Sequence, residues 1–451
     1  MTDLRAAIET YHALLDDDLA AESQELLAEQ LRRRGLFFGE RPLCVVLRPR
    51  FLTPAHYAFL RQAMRAILRV FDKAFQAALA DPSIRAQFHL ADWEEQLIQV
   101  EPGFRSPSPT SRMDTFFVPA DGTLKLVEYN AETPAGVAYN DALTEVFSTL
   151  PIMQRFEGRY EVRPLPVRHQ VLHVLLDAYR QWGGRERPTI AILDWREVPT
   201  YSEFVLFRDF FQTHGYPAQI VDPRGVEYRG GALWSADGAR LTLVYKRVLL
   251  SELVQRGGVD HPVIQAARDG AICLVNSFRS KLLHKKASFA VLSDEANAAL
   301  FDAADRQAIE AYIPWTRLLA DRRTQVDGRE VDLLTYAQDH KDDLVLKPND
   351  EYGGKGVVLG WEVSAEAWQA ALRAGLAEPT VIQRRVQQPG EPYPVLADGR
   401  LRLSESLFDT DPFLWNSAYA SGCLTRISTA ALLNVTAGGG STVPTCVVEE
   451  R

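Results

Sequence analysis

Arg112-Met-Asp114, followed by Glu128-Tyr-Asn130-Ala-Glu-Thr-Pro134-Ala-Gly136, and, more than two hundred residues later, Lys347-Pro-Asn-Asp-Glu-Tyr-Gly353-Gly354-Lys355-Gly356 are the stretches that decide how this chain is read. Around the first, residues 115–118 and 124–129 read as two strands joined across Asp121-Gly122, a strong hairpin dipeptide. Arg112 and Asp114 are two apart, so an extended chain turns both to one face, and Glu128 and Asn130 obey the same alternation. The hairpin then brings four side chains to one point. Two carboxylates and an amide oxygen are hard ligands that suit magnesium beside phosphate. Arg112 adds a planar fork for phosphoryl oxygens. A surface hairpin with a cross-strand ion pair would use the same residues without any ligand.

The second stretch begins with Leu344-Val-Leu-Lys347-Pro348, an apolar strand ending on a lysine, and runs through a glycine-rich turn into a strand over 356–359. Glycines let backbone N–H groups approach phosphate oxygens, and Lys347 supplies a point charge. The spacing is neither that of a P-loop nor G-x-G-x-x-G. Taken alone, such a turn is an ordinary hairpin.

Together these strings resemble the ATP-grasp ligases, whose pattern is Arg-x-Asp and then Glu-x-Asn-x-x-Pro-Gly. The run Glu128-Tyr-Asn-Ala-Glu-Thr-Pro134 is most similar to the synthetase domain of glutathionylspermidine synthetases. The resemblance implies that Asp114, Glu128 and Asn130 hold Mg2+ on ATP, while Arg112 steadies an acyl-phosphate and the tetrahedral intermediate. It implies that Lys347 contacts the ATP phosphates, that the loop with Gly353, Gly354, Lys355 and Gly356 covers them, and that Thr380–Arg384 reaches the adenine. Gln383 stands there where an acid is common. Upstream, Asn276-Ser-Phe-Arg279-Ser-Lys281-Leu-Leu-His284-Lys285-Lys286 resembles the segment with the first ATP lysine. Lys286 is the better match and Lys281 the alternative; basic residues on an exposed helix start would look the same. Arg426 is a further acyl-phosphate candidate, against a surface ion pair, and the glycine-rich loop 434–442 is expected to return to the site.

The order of the motifs carries information too. In ordinary ATP-grasp chains the lysine and glycine loop come first, and here they come last. The resemblance therefore implies an α/β (α+β) ATP-grasp fold that is circularly permuted, with an α/β substrate domain of the kind that precedes the core. Expected segments are a mainly helical part at 1–100, the metal-binding part of the core at 101–150, the substrate domain at 185–280, the nucleotide-binding part at 281–390 and a C-terminal part returning to the core at 391–451. The expected activity is ATP- and Mg2+-dependent joining of a small-molecule carboxylate to an amine, of the amino-acid, peptide or polyamine class, through an acyl-phosphate. A nucleotide-binding module without ligase activity and a small-molecule kinase are the alternatives. The synthetase branch can carry an N-terminal cysteine amidase domain; this chain starts without one, so no amidase activity is expected.

Composition agrees with that class. The chain has 451 residues, enough for two or three packed subdomains, with 46% hydrophobic and 24% charged residues. A net charge of −9 and a pI near 5.6 lack the basic footprint of a nucleic-acid binder. Four scattered cysteines without C-x-x-C point to reduced thiols in a cytoplasmic protein. The N-terminus lacks a signal-peptide pattern, and no run approaches the ~18 apolar residues of a membrane span.

Periodicity predicts a helix over 3–34, a strand over 43–47, and a helix over 55–80 capped by Thr53 with Pro54 at its start. Prolines and glycines predict a loop over 102–110. From about 185 the cadence becomes strand 188–194, helix 201–214, strand Ala218–Val221, a hairpin over 231–244 and strands 243–245 and 272–275. Asp194, Arg196, Glu197, Tyr201 and Glu203 follow a strand end, where α/β layers bind ligands, and are substrate-side candidates beside the plainer roles of capping and ion pairing. Helices are expected over 281–300, 301–312 and 364–375, and the last fifty residues read as mostly β. His214, His261 and His284 lack ligand-like spacing and read as structural.

Overall fold

Two helices, Leu4–Leu14 and Asp17–Arg34, stand where one was expected over 3–34. The break is chemical. The Asp16 carboxylate accepts the Leu19 N–H at 2.8 Å, and Asp17 and Asp18 occupy the first turn, where the helix dipole favours acids. The structure, a computed structural model, describes residues 3–430 and 440–451. Helix Pro54–Ala80 starts as the sequence predicts, with Thr53 and His56 capping each other's backbone N–H groups.

The strand expected over 43–47 is absent. Its backbone bonds go in separate directions, Leu43 N–H to the Leu36 carbonyl and Leu47 N–H to the Pro394 carbonyl, so no ladder forms. The apolar run reflects burial of Leu43, Cys44, Val46 and Leu47 instead. The strand nearby is Arg50–Leu52, parallel to Ser441–Glu450.

A large sheet forms the middle of the protein, in the order Gly390–Ala397, Arg400–Phe408, Tyr419–Ser428, Asp411–Trp415, Thr110–Val118, Thr123–Asn130. Ser441–Glu450 branches from Tyr419–Ser428 to reach Arg50–Leu52 and Tyr160–Pro164. The Arg112 hairpin and the C-terminal segment thus share one sheet, with Arg112 opposite Phe413.

A second sheet is fully parallel, Cys273–Val275, Leu243–Lys246, Ile190–Leu193, Ala218–Val221, with helix Tyr201–Thr213 against it. These are the buried apolar runs expected of a covered parallel layer, and Asp194, Arg247 and Asn276 follow their carboxyl ends. The 231–244 hairpin is a three-stranded meander, Val226–Arg229, Ala232–Ser235 and Arg240–Leu241.

The third layer is antiparallel, Thr316–Leu318, Thr380–Arg384, Leu344–Pro348, Val358–Leu359. Helix Ala365–Ala377 packs on it and runs past Gly375, where an added Cβ would meet Leu319 and Thr380 at 2.9 and 3.2 Å. The helix expected over 281–300 is divided into Ser280–His284, Ala287–Ser293 and a 3-10 turn, Glu295–Leu300. The chain leaves the helical path at Lys285. Asn349 then holds the restart, taking the Lys286 N–H on its backbone carbonyl at 3.0 Å and the Ala287 N–H on its side chain at 2.8 Å.

Among the described residues no helix is long and apolar enough to cross a membrane. All four cysteines are free and buried, and burial pushes the Cys44 and Cys446 thiols up to about 12. Alkylation by iodoacetamide at pH 8 should therefore modify none of the four in the native protein and all four in 6 M guanidinium, as read by intact mass. Fast labelling of the native chain would contradict this packing.

Candidate active site

The hairpin register sets Arg112 opposite Asn130 and Asp114 opposite Glu128, with a bulge directly after Asp114. The side chains converge as strand alternation requires. Asn130 Nδ2 donates to Asp114 Oδ1 at 2.9 Å, and Arg112 grips Asp114 through Nε at 2.7 Å and Nη2 at 3.1 Å. Arg112 Nη1 also donates to the Ala135 carbonyl at 2.8 Å.

Arg426 arrives from Tyr419–Ser428. Its Nη2 donates to Asp114 Oδ2 at 2.7 Å, and its Nε donates to Asp409 Oδ2 at 2.6 Å. Asp411 Oδ2 lies 3.1 Å from Arg426 Nη2 and 3.8 Å from Arg112 Nε. Two guanidinium groups therefore share three buried carboxylates. Burial raises the Asp114 carboxyl, but Arg112 and Arg426 more than offset it and hold the group well below the usual carboxylate range. Asp411 goes the other way, pushed well up by burial and by Asp114 and Asp409. Sequence reasoning passed over Asp409 and Asp411; the alternation in Asp409-Thr-Asp411 is the signal that could have found them.

The second stretch meets the first at Lys347. Its Nζ donates to the Val127 carbonyl at 3.0 Å and to Gln383 Oε1 at 2.8 Å. Burial lowers Lys347 to about 8, with Glu128 pulling the other way. Gln383 is itself oriented by Thr316, which accepts from its Nε2 at 3.0 Å. A neutral amide here leaves the lysine charge uncancelled, where an acid would neutralise it. Lys286 Nζ stands 2.9 Å from Glu128 Oε1 and donates to the Glu351 carbonyl at 2.5 Å.

One cavity of about 640 Å³ holds this meeting point, a volume typical of small-molecule and cofactor sites. The hairpin contributes Arg112, Asp114, Glu128 and Asn130 to its wall, and the glycine-rich stretch contributes Lys347, Gly353 and Gly354. Lys286, Gln383 and Arg426 complete the set brought together.

Three expected residues stand outside that wall. Lys355 is exposed and pairs with Glu351 at 2.9 Å. Gly356, at φ 72°, lies against Pro348, which a Cβ would meet at 2.7 Å, so it lets the loop turn instead of facing the cavity. Lys281 is buried in an ion network with Asp350 at 2.6 Å, Glu132 at 3.3 Å and Glu94 at 3.5 Å. The break at Lys285 separates the lysines: Lys281 lies in the turn before it, inside the ion network, and Lys286, which with His284 flanks the break, reaches the cavity wall. Of the loop 434–442, residues 434–439 lie outside the described residues.

From the parallel layer, Asp194 lines the cavity; burial pushes its carboxyl up to about 6 although it accepts the Trp195 N–H at 2.8 Å. Glu203 has a scaffolding role, accepting the Gly136 and Ala138 N–H groups at 2.8 and 3.1 Å just beyond the hairpin. Glu197 is exposed and pairs with Arg224 and Arg256. Arg247 and His284, the latter read as structural, both reach the cavity wall.

The hairpin's donor set suits a magnesium ion that takes its remaining ligands from phosphate and water. Among the described residues, no three His, Cys, Asp or Glu side chains form a preassembled cage. Magnesium near phosphate is commonly held by one or two carboxylates, with phosphate oxygens and water filling the other positions, and the hairpin offers two carboxylates and an amide at one point.

The fold is mixed α/β and similar to a glutathione synthetase-like fold. The solved structure of a glutathione synthetase-like effector from Globodera pallida, in its apo form, matches with a TM-score of 0.62 over 96% of this chain and 98% of that chain, at 12% identity. A protein provisionally named glutamate–cysteine ligase 2-3, from Frankia alni (strain DSM 45986 / CECT 9034 / ACN14a), is 22% identical over 401 residues, 83% of this chain. The aligned region is 44% of that relative, so the chain spans less than half its length. No protein-family profile matches the chain.

Proposed function

We propose that the chain is an ATP- and Mg2+-dependent carboxylate–amine ligase built on a circularly permuted ATP-grasp core. The observation that carries this reading is the contact of Lys347 with the Val127 carbonyl, which joins the glycine-rich strand to the Arg112 hairpin across 220 residues of sequence. The ligase and synthetase names of the two relatives support the same class of reaction.

In this reading Lys286 and Lys347 hold the phosphates, and the Gly353-Gly354 turn covers them and excludes water. Asp114, Glu128 and Asn130 hold magnesium, which when bound neutralises charge on the phosphate oxygens. Arg112 and Arg426 stabilise the oxyanion that develops as an amine attacks the acyl-phosphate. Asp409 holds Arg426 in place through its backbone N–H and its Nε, at 2.6 Å each. Nucleotide-side groups come from 281–390, the catalytic hairpin from 101–150, and substrate-side groups from 1–100, 185–280 and 391–451. Four buried free cysteines fit a cytoplasmic setting.

The test is release of ADP and phosphate with formation of an amide. Hydroxylamine serves as a general amine, because it traps any acyl-phosphate as a hydroxamate. Glu128→Gln should lower kcat by about 100-fold or more with the native fold retained by circular dichroism, since the amide keeps the side chain's shape and an oxygen that can accept from Lys286 Nζ. Nucleotide binding without ADP release in any mixture of carboxylates and amines would reduce the chain to a binding module. ADP release with phosphorylation of a hydroxyl, and no hydroxamate, would make it a kinase.

A further inference from the structure

Beyond the Arg112–Arg426 pair the cavity opens into an alcove with carbon walls, and from it we infer that the carboxylate substrate has an apolar body. This rests on the ligase reading above and concerns the substrate class of that same site.

The walls are Phe38, Leu43, Tyr139, Val198, Pro199 and Leu424. Contacts fix their place next to the arginines. Thr442 pairs with Arg426 across the sheet and donates its N–H to the Leu43 carbonyl at 2.7 Å. Leu424 precedes Arg426 on the same face of its strand and stands 3.0 Å from where a Gly136 Cβ would be, one residue beyond the Ala135 carbonyl that Arg112 grips.

The outer wall is a small clasp, the two-stranded hairpin of Phe37–Phe38 and Arg41–Pro42. It is pinned at three points, two on the parallel layer and one on helix Val137–Thr149. The Phe37 carbonyl accepts from Tyr139 Oη at 3.2 Å and from Ser202 Oγ at 3.1 Å, and the Gly39 N–H donates to the Pro199 carbonyl at 3.2 Å. The pinning engages the Phe37 carbonyl, the Gly39 N–H and the Tyr139 hydroxyl, and turns the Phe38 ring and an edge of the largely buried Tyr139 ring to the cavity.

The charged groups nearest this end are mostly engaged: Asp194 accepts the Trp195 N–H, and of Arg247 only Nε is without a partner. Arg247 donates to the Pro134 carbonyl at 2.5 Å and faces Glu203 at 3.6 Å. Glu252 accepts from Tyr352 Oη at 3.2 Å and from Trp195 Nε1 at 3.1 Å. A substrate body carrying several charges would be desolvated against the alcove walls with one unpaired nitrogen, Arg247 Nε, to meet it, so most of its lost hydrogen bonds would go unreplaced. An alkyl or aryl body gains from every apolar surface it covers. Its carboxylate then reaches Arg112 and Arg426, at the inner end of the alcove.

The chemistry balances. The carboxylate oxygen attacks the γ-phosphorus of ATP, ADP leaves with the bonding electron pair, and the acyl-phosphate forms. A neutral amine then attacks the acyl carbon, the carbon–oxygen bond to phosphate breaks, and phosphate departs with the pair while the amine nitrogen loses a proton to it.

The full chain with ATP, Mg2+ and hydroxylamine is offered octanoate, 3-phenylpropionate, glutamate or glutathione. Hydroxamate should form from the two apolar acids with kcat/KM at least about tenfold above that for glutamate or glutathione. Phe38→Ala should raise KM for 3-phenylpropionate about tenfold and leave kcat within about twofold. Preference for glutamate or glutathione, or a Phe38→Ala variant with unchanged KM, overturns the inference and leaves the ligase reading standing. Binding of 3-phenylpropionate is measured separately by calorimetry in the presence of ADP. Binding that Phe38→Ala weakens, without hydroxamate from any acid, supports the alcove and sinks the ligase reading. Absence of binding overturns the inference whatever the turnover.

Discussion

Arg426→Ala is expected to abolish turnover and to destabilise the fold by about 3 kcal/mol or more. The arginine is the shared counter-ion of Asp114, Asp409 and Asp411, at 2.7, 2.6 and 3.1 Å. Removing it leaves Arg112 as the remaining counter-ion for Asp114 and takes the cation away from Asp409, beside an Asp411 carboxyl that is already pushed well up. The penalty is the desolvation of charges left without a partner, which exceeds the net worth of the pairs themselves. That account makes a second measurement decisive. Adding Asp409→Asn to Arg426→Ala removes one orphaned charge and should recover part of the lost stability in urea melts, without recovering any turnover. If the double variant is less stable than the single one, the cluster is not electrostatically overloaded and the account fails.

The two candidate lysines should separate cleanly. Lys281→Met is expected to cost about 3 kcal/mol of stability, because Lys281 is almost wholly buried among Asp350, Glu132 and Glu94. The low end of the range applies because Lys246 still pairs with Glu132 and Lys285 still pairs with Glu94 and Asp350. Lys286→Met should cost less than Lys281→Met, since it loses one ion pair, to the part-exposed Glu128, and one bond to the Glu351 carbonyl, against three carboxylate partners for Lys281. It should nevertheless weaken nucleotide binding by about 10- to 100-fold, the worth of one charge-assisted contact to phosphate. Chemical melts and nucleotide titration on the two variants give opposite orderings. The same ordering in both assays would mean that the two lysines are not divided between scaffold and site.

Legibility from sequence followed the range of the interactions. The Arg112–Asn130 hairpin was readable because a period of two and the Asp121-Gly122 turn are local properties, and they suffice to put Asp114 opposite Glu128. Helix Pro54–Ala80 was readable from its cap, and the parallel layer from its buried apolar runs. The strand expected over 43–47 was not formed, since apolar composition reports burial and burial is compatible with irregular backbone. The division of the helix over 281–300 was invisible for a different reason: the residue that restarts it, Asn349, lies more than sixty positions away.

By itself the sequence determined the chemical alphabet of the candidate site, the two carboxylates and amide of the hairpin and the lysine with its glycine-rich turn, because strand alternation and turn propensity act between near neighbours. Only the tertiary structure decided how that alphabet is assembled: that Lys347 meets the hairpin, that Asp409 and Asp411 surround the arginine pair, that Lys286 and not Lys281 faces the cavity, and that Phe38 and Leu43 wall its far end. These are contacts between segments tens to hundreds of residues apart. They are selected by burial and charge pairing across the whole fold, which no local pattern encodes.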